Sequence, residues 1–369
     1  MRRVIVLYGA TGYTGQLVTR ELVARGADFA LGGRSRDKLE SLSRGVGGGA
    51  PVRVASVHDE DSLRALMDGA DVLINCAGPF THAGEPVVRA AVEAGVHYVD
   101  STGEQPFIRT VFETYGPRAA ERGVALVPAC GFDYVPGDCI ARIAARGLEP
   151  VEELVLAYSV QGFGMSRGTL KSGLEMMKAG SAVTYRDGRL EPVPGGVFRA
   201  SFDFPEPIGR QPVIPYPAGE PISVPSHTDV RTVTTLLSTR TAVPGPMVPV
   251  APYAAPLLGQ VLKTPLRPLL AKAVDRLPEG PPEEARRAAR WTIVAQAHGA
   301  GGRAARAVVR GSDVYGLTAR SLVWAAERLA AEGYERTGAL GPAGAFDAEE
   351  MLGALSDFGV EWSAPGPAA

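Results

Sequence analysis

The stretch VLYGATGYTGQLVTREL, residues 6–22, holds three glycines, Gly9, Gly12 and Gly15, at a strict spacing of three. They stand where an apolar, β-branched run, RVIVLY (3–8), gives way to a helical pattern carrying Leu17, Val18, Leu22 and Val23. Glycine at such a junction serves one of two ends. It makes a tight turn with close helix packing, or it bares the backbone so that a phosphate can approach. The surrounding chain decides between them.

That surrounding chain alternates for its first 150 residues. FALGG (29–33) precedes the helical pattern SRDKLESLSR (35–44), with Ser35 at the cap position. VRVASV (52–57) precedes DEDSLRALMDG, DVLINCAG (71–78) precedes GEPVVRAAVEAG, and HYVD (97–100) precedes a helix near Phe107–Arg122. VALVPACG (124–131) then leads into GDCIARIAARG. Strands alternating with helices of this length predict βαβ units and a doubly wound parallel sheet of the Rossmann type, covered on both faces. In that context the glycine motif reads as a dinucleotide site, with the pyrophosphate at the helix N-terminus.

After Pro150 the rhythm breaks. EELVLAYSVQG reads as a strand, GTLKSGLEMMKAG as a helix, and YRDGRLEPV as a hairpin turning at Asp187-Gly188. DVRTVTTLLSTRT reads as a strand, and RWTIVAQAHGAGGRAARAVVRG as a hairpin through Gly299, Gly301 and Gly302. This predicts a second α+β domain built on a mixed or antiparallel sheet. GLTARSLVWAAERLAAEG (316–333) is a strongly amphipathic helix. The expected division is 1–138 for nucleotide binding, 139–313 for substrate and dimer contacts, and 314–369 as a C-terminal helical segment returning to the first domain.

Composition removes several classes of function. With 38 Lys and Arg against 40 Asp and Glu, the formal net charge is −2, and no basic stripe marks a nucleic-acid binder. The 3 cysteines, Cys76, Cys130 and Cys139, show no metal spacing and read as reduced thiols of a cytoplasmic protein. The apolar run after Met1-Arg2-Arg3 is too short for a secretory core segment. MVPVAPYAAPLLGQVL (247–262) is broken by Pro249, Pro252 and Pro256, so it predicts packing or contact with a membrane surface or a greasy substrate, not a span. The 5 histidines, His58, His82, His97, His227 and His298, have no metal-binding spacing, and no metal is expected. His97, inside a predicted strand, reads as structural.

The cofactor is read from the end of the second strand. An NAD site carries a carboxylate there for the ribose hydroxyls. This chain has GGRSRDKL, with Arg34, Ser35 and Lys38 in its place and Arg36 between them. Cations favour a phosphate, hence NADP(H). Three further strand ends face the same crevice: NCAGPF (75–80), DSTGE (100–104) and ACGFD (129–133). Backbone at Cys76, Ala77, Gly78 and Pro79 is expected beside the ribose and nicotinamide. Glu104 and Asp133 are the candidate catalytic acids, with Asp100, Asn75, Thr102 and Tyr98 as further polar groups. The Tyr-x-x-x-Lys pair of short-chain ketone reductases is missing after the fourth strand.

The segments GATGYTG, GGRSRDKL, DVLINCAGPFTHAGEPVVRAAVEAGVHYVDSTGE and ALVPACGFDYVPGD together resemble the saccharopine dehydrogenase-like oxidoreductases, and within them the trans-acting enoyl reductases. SRGTLKSGLEMM (166–177) and VYGLTARSLVWAAERLA (314–330) are similar to later segments of that family. The resemblance implies NADP(H) at Gly9, Thr11, Gly12, Tyr13, Thr14, Arg34 and Ser35, and a homodimer formed through the middle domain. It implies NADPH-dependent reduction of an activated C=C bond on an apolar, polyketide- or lipid-like substrate. Met165, Met176 and Met177 fit such a substrate. The same resemblance leaves open imine reduction or secondary-amine oxidation, for which Arg167 is the carboxylate-binding candidate, and a non-catalytic cofactor-binding scaffold.

Overall fold

The computed structural model describes residues 3–47, 49–179, 182–193, 200–242, 274, 276–363 and 366–367. The chain divides into two compact units: Met1–Val135 with Tyr315–Ala345, and Pro136–Val314 with Phe346–Ala369. The proline-broken stretch 247–262 lies outside the described residues, as does the side chain of Met177.

The first unit is a parallel sheet. Its strands are β1 (Val4–Tyr8), β2 (Asp28–Gly33), β3 (Val52–Val54), β4 (Val72–Asn75), β5 (His97–Asp100) and β6 (Ala125–Val127), with Gly338–Ala339 added at one edge. The order runs from Gly338–Ala339 through β6, β5, β4, β1 and β2 to β3. Every neighbour is parallel. This is the 3-2-1-4-5-6 order of dinucleotide-binding sheets, and its reversal point lies between β1 and β4. Ile5, Val6, Leu7 and Tyr8 are all buried, the uninterrupted apolar run that a strand covered on both faces requires. Each such side chain contributes about 1.5–3 kcal/mol.

Each of the first four strands leads into a helix: α1 (Tyr13–Ala24), α2 (Arg36–Gly45), α3 (Glu60–Leu66) and α4 (Phe80–Ala94). α3 and α4 bury Leu63, Leu66, Val87, Val88 and Ala91 against Val6, Leu73, Tyr98 and Leu126 of the sheet. The helix expected near Phe107–Arg122 runs from Gln105 to Glu121, with a π turn at Val111–Tyr115. The later helix Val314–Leu329 meets α1 through Arg25, which pairs with Glu327 at 2.9 Å and with Glu21 at 2.7 Å.

The second unit is built on a mixed sheet. β7 (Val151–Gln161) lies at its centre, between Val233–Ser238 and the hairpin Arg290–Gly299 and Ala304–Ser312. Val233–Ser238 runs parallel to β7, and the hairpin strand Arg290–Gly299 runs antiparallel to it. The predicted strand 229–241 is strand only to Ser238, after which Thr239–Ala242 turns helical. The predicted turn at Asp187-Gly188 is present, both residues taking positive φ (49° and 81°), as a two-residue hairpin demands.

Candidate active site at the carboxyl edge of the parallel sheet

The three glycines divide their work. A Cβ on Gly15 would stand 2.2 Å from the Gly9 carbonyl oxygen, so this glycine exists for the close approach of α1 to its own turn. Gly9, at φ +81°, abuts the next loop, where a Cβ would meet Ala77 N and Cys76 C at 2.7 Å. Gly12 is different: the nearest atom to a Cβ there is Gly9 O at 3.4 Å, an ordinary contact. Packing does not demand glycine at 12. At the N-terminus of α1 Gly12 is the N-cap and makes no side-chain capping bond. The first-turn amides of a helix have no intrahelical acceptor, and the dipole favours an anion there. Thr11 and Thr14 flank this turn half-buried, and Tyr13 packs edge-on against Tyr315 at 5.1 Å between ring centres.

The end of β2 sorts its cations. Arg36 pairs with Glu40 along α2 at 3.8 Å. Arg34 and Lys38 are exposed and have no ion pair among the described residues. Ser35 occupies the N-cap of α2 but makes no capping hydrogen bond. An unpaired arginine, an unpaired lysine and an unengaged hydroxyl fit a phosphate monoester. No carboxylate stands at the strand end to take ribose hydroxyls.

Beyond β4, β5 and β6 the loops are stitched together by buried polar groups. Asn75 Oδ1 accepts from Ala77 N at 2.9 Å, and Asn75 Nδ2 donates to the Tyr98 hydroxyl at 3.1 Å. Tyr98 donates to Asp100 Oδ2 at 2.8 Å. Asp100 Oδ1 accepts from Thr102 N and Ala129 N at 2.9 and 2.8 Å. Burial pushes the Asp100 carboxyl up to about 7, against the three donors that favour its charged form. Ala129 takes φ +58°, which a non-glycine residue adopts only under restraint, and the Asp100 bond supplies part of it.

The two candidate acids stand in different settings. Glu104 is fully buried, and its oxygens accept from Phe80 N at 2.8 Å, Thr81 N at 2.7 Å and the Thr81 hydroxyl. It caps the N-terminus of α4 and anchors the end of the Cys76–Pro79 loop. Asp133 is half-buried, with its carboxyl carbon 3.3 Å from the Cβ position of Gly103. Burial pushes its carboxyl up to about 7. The loop that carries it is fixed by Phe132 N donating to Thr318 Oγ1 at 3.0 Å and by the Tyr134 hydroxyl donating to Gly103 O at 3.1 Å. A carboxyl with that setting carries a proton near neutral pH.

Burial pushes the Cys76 thiol up to about 12, which disfavours its thiolate. Arg167, the candidate for holding a substrate carboxylate, donates through Nε and Nη2 to the Leu277 carbonyl. His97 is structural, as expected, accepting from Ala125 N through Nδ1 at 3.0 Å. Thr318, Tyr315 and Thr81 carry no signal in the sequence that marks them for this site. Thr318 reaches its partner across 186 residues, so no local pattern reveals it.

Among the described residues no group of His, Cys, Asp and Glu is arranged to hold a metal ion, and no helix is long and apolar enough to cross a membrane.

The strand order and the glycine turn are those of a dinucleotide-binding unit. Residues 5–127 match the family described as saccharopine dehydrogenase NADP binding domain. Its cofactor class is therefore NADP(H). A Mycobacterium tuberculosis protein named trans-acting enoyl reductase is 39% identical over 139 residues, 36% of this chain and 33% of that protein. A Caenorhabditis elegans lipid droplet localized protein is 33% identical over 218 residues, 55% of this chain and 51% of its own length. The chain thus spans between a third and about half of the length of these relatives. The structure of apo saccharopine dehydrogenase (L-Glu forming) from Saccharomyces cerevisiae superposes over 100% of both chains with a TM-score of 0.62 at 14% identity, a likeness of fold.

Proposed function

We propose that this chain is an NADPH-dependent reductase acting on an activated C=C bond of an enoyl group carried by a polyketide- or lipid-like substrate. The observation that carries the reading is the row of groups along one sheet edge. The glycine turn, Arg34, without an ion pair among the described residues, and the half-buried Asp133 all follow strands of the same parallel sheet. In this reading Gly9, Thr11, Gly12, Tyr13 and Thr14 receive the pyrophosphate, and Arg34, Ser35 and Lys38 receive the 2′-phosphate. Cys76, Ala77, Gly78 and Pro79 line the nicotinamide end. Bound NADPH supplies a hydride. Asp133 supplies the proton that completes the reduction, and Glu104 holds the loop and helix α4 in register. The enoyl class of substrate is supported by the name of the mycobacterial relatives and by Arg167 donating to the Leu277 carbonyl through Nε and Nη2.

Two further parts belong to the same reading. One is a cytoplasmic protein that meets a greasy substrate, in keeping with the lipid-droplet relative. The other is a homodimer formed through the mixed sheet, one face of which carries Val155 and Val308, partly exposed beside Phe202 and Phe204. Light scattering of the purified chain tests the second.

The experiment for the activity is NADPH oxidation, followed by absorbance, with a panel of enoyl thioesters of increasing acyl length. Turnover that rises with chain length and falls in Asp133→Asn supports the proposal. Oxidation with a cyclic imine but with no enoyl thioester would overturn it.

A further inference from the structure

The polar chain under the strand ends does more than satisfy itself. Asn75, Tyr98, Asp100 and Thr102 are each fully buried. One continuous path of hydrogen bonds runs from Ala77 N through Asn75, the Tyr98 hydroxyl and Asp100 to Ala129 N. It joins the loop after β4 to the loop after β6 across β5, alongside the backbone bonds from Ser101 N to Asn75 O at 3.3 Å and from Cys130 N to Asp100 O at 2.8 Å, and it alone reaches the Ala77 and Ala129 amides through side chains. The Ala77 end is held from the other side by Gly9, whose missing Cβ admits the Ala77 amide. Burying an amide, a phenol and a carboxylate for this purpose costs more than apolar packing of the same volume, and such groups are retained where they fix a unique geometry.

We propose that Asn75, Tyr98 and Asp100 are positioning residues that set the Cys76–Pro79 backbone for the nicotinamide half of the cofactor. The inference rests on the NADP(H) reading of the site and assigns the relay to one half of that ligand. The adenosine half meets the β1 turn and the end of β2, where the relay has no member. Cutting the relay therefore discriminates between the two halves, which general loosening of the unit would not do.

The test uses the whole chain, two ligands and two variants. NADPH spans both halves, whereas 2′,5′-ADP carries the adenosine and its 2′-phosphate without nicotinamide. Tyr98→Phe removes the single oxygen through which Asn75 and Asp100 are joined. Tyr115→Phe is the control. It also loses a hydroxyl bonded to a carboxylate, that of Glu85 at 3.0 Å, away from the strand ends. Tyr98→Phe is expected to weaken NADPH about tenfold, the worth of one buried hydrogen bond. Its affinity for 2′,5′-ADP is expected to stay within about twofold of the unaltered chain, and Tyr115→Phe to leave both ligands within that range. Should Tyr98→Phe not fold, Asn75→Ser is measured with the same two ligands and the same expectation. Unchanged NADPH affinity, or equal weakening of both ligands, would overturn the relay while leaving the cofactor reading intact. If the unaltered chain binds 2′,5′-ADP and NADPH not at all, the cofactor reading falls and the relay with it.

Discussion

Gly15 lies so close to Gly9 that a Cβ on the first would stand 2.2 Å from the carbonyl oxygen of the second. Gly12, midway between them, has no such neighbour. Residues of one motif are therefore expected to fail in different ways. Gly15→Ala forces α1 away from its turn and lowers stability by about 1–3 kcal/mol, as overpacking does. Gly12→Ala keeps the fold, because space exists for the methyl group, and weakens NADPH by covering the turn. Thermal unfolding and a cofactor titration on both variants separate the two effects.

The cations after β2 give a second contrast. Arg34 has no ion-pair partner among the described residues, while Arg36 is held by Glu40. Arg34→Ala is expected to remove about 1–3 kcal/mol of the preference for NADPH over NADH, the worth of a charged hydrogen bond. Arg36→Ala is expected to change it little. Equal losses in both would mean that the cations act as a diffuse field.

Asp133 predicts a pH dependence of definite sign. Its carboxyl is pushed up to about 7, so the folded chain holds that proton more tightly than the unfolded chain. The stability it confers is full in acid and is lost as pH rises from about 4 through about 7. Asp133→Asn should therefore be more stable than the unaltered chain at pH 8 and show no such gain at pH 5, as read by unfolding midpoints. In turnover, kcat/KM of the unaltered chain should fall above about pH 7 as the proton is lost, and the variant should lose that break.

His97 predicts the opposite slope. Burial lowers its pKa, with Asp71 acting weakly against it, and Nδ1 must stay unprotonated to accept from Ala125 N. The unfolded state binds the proton more readily, so stability is lost as pH falls below about 6.5. His97→Asn retains an acceptor without titrating and should flatten that loss. His97→Ala should cost about 1–3 kcal/mol at pH 7.5 by orphaning the buried Ala125 amide.

Much of the nucleotide-binding unit is legible in the chain itself. The alternation of β-branched runs with helical patterns in the first 135 residues leads to the parallel sheet, because each strand buried on both faces has to read as a short apolar run. Asp187-Gly188 and Gly299–Gly302 announce their hairpins by turn chemistry. What stays hidden are side chains whose meaning depends on a distant partner. Glu104 reads as a candidate acid because it follows a strand end, yet its carboxylate caps a helix that begins 24 residues earlier in the chain. Ser35 reads as a cap because of its position, yet its hydroxyl makes no capping bond. Asn75, Tyr98 and Asp100 are each visible as polar groups near the crevice. Their joining into one path requires the register that sets Asn75 opposite Asp100 on neighbouring strands.

The most direct test of the NADP(H) site is a fluorescence titration of NADPH and NADH into the purified chain. Saturable binding of both is expected, with NADPH tighter by about tenfold or more, the share of an arginine-held 2′-phosphate. Equal affinity, a preference for NADH, or no binding of either would contradict it.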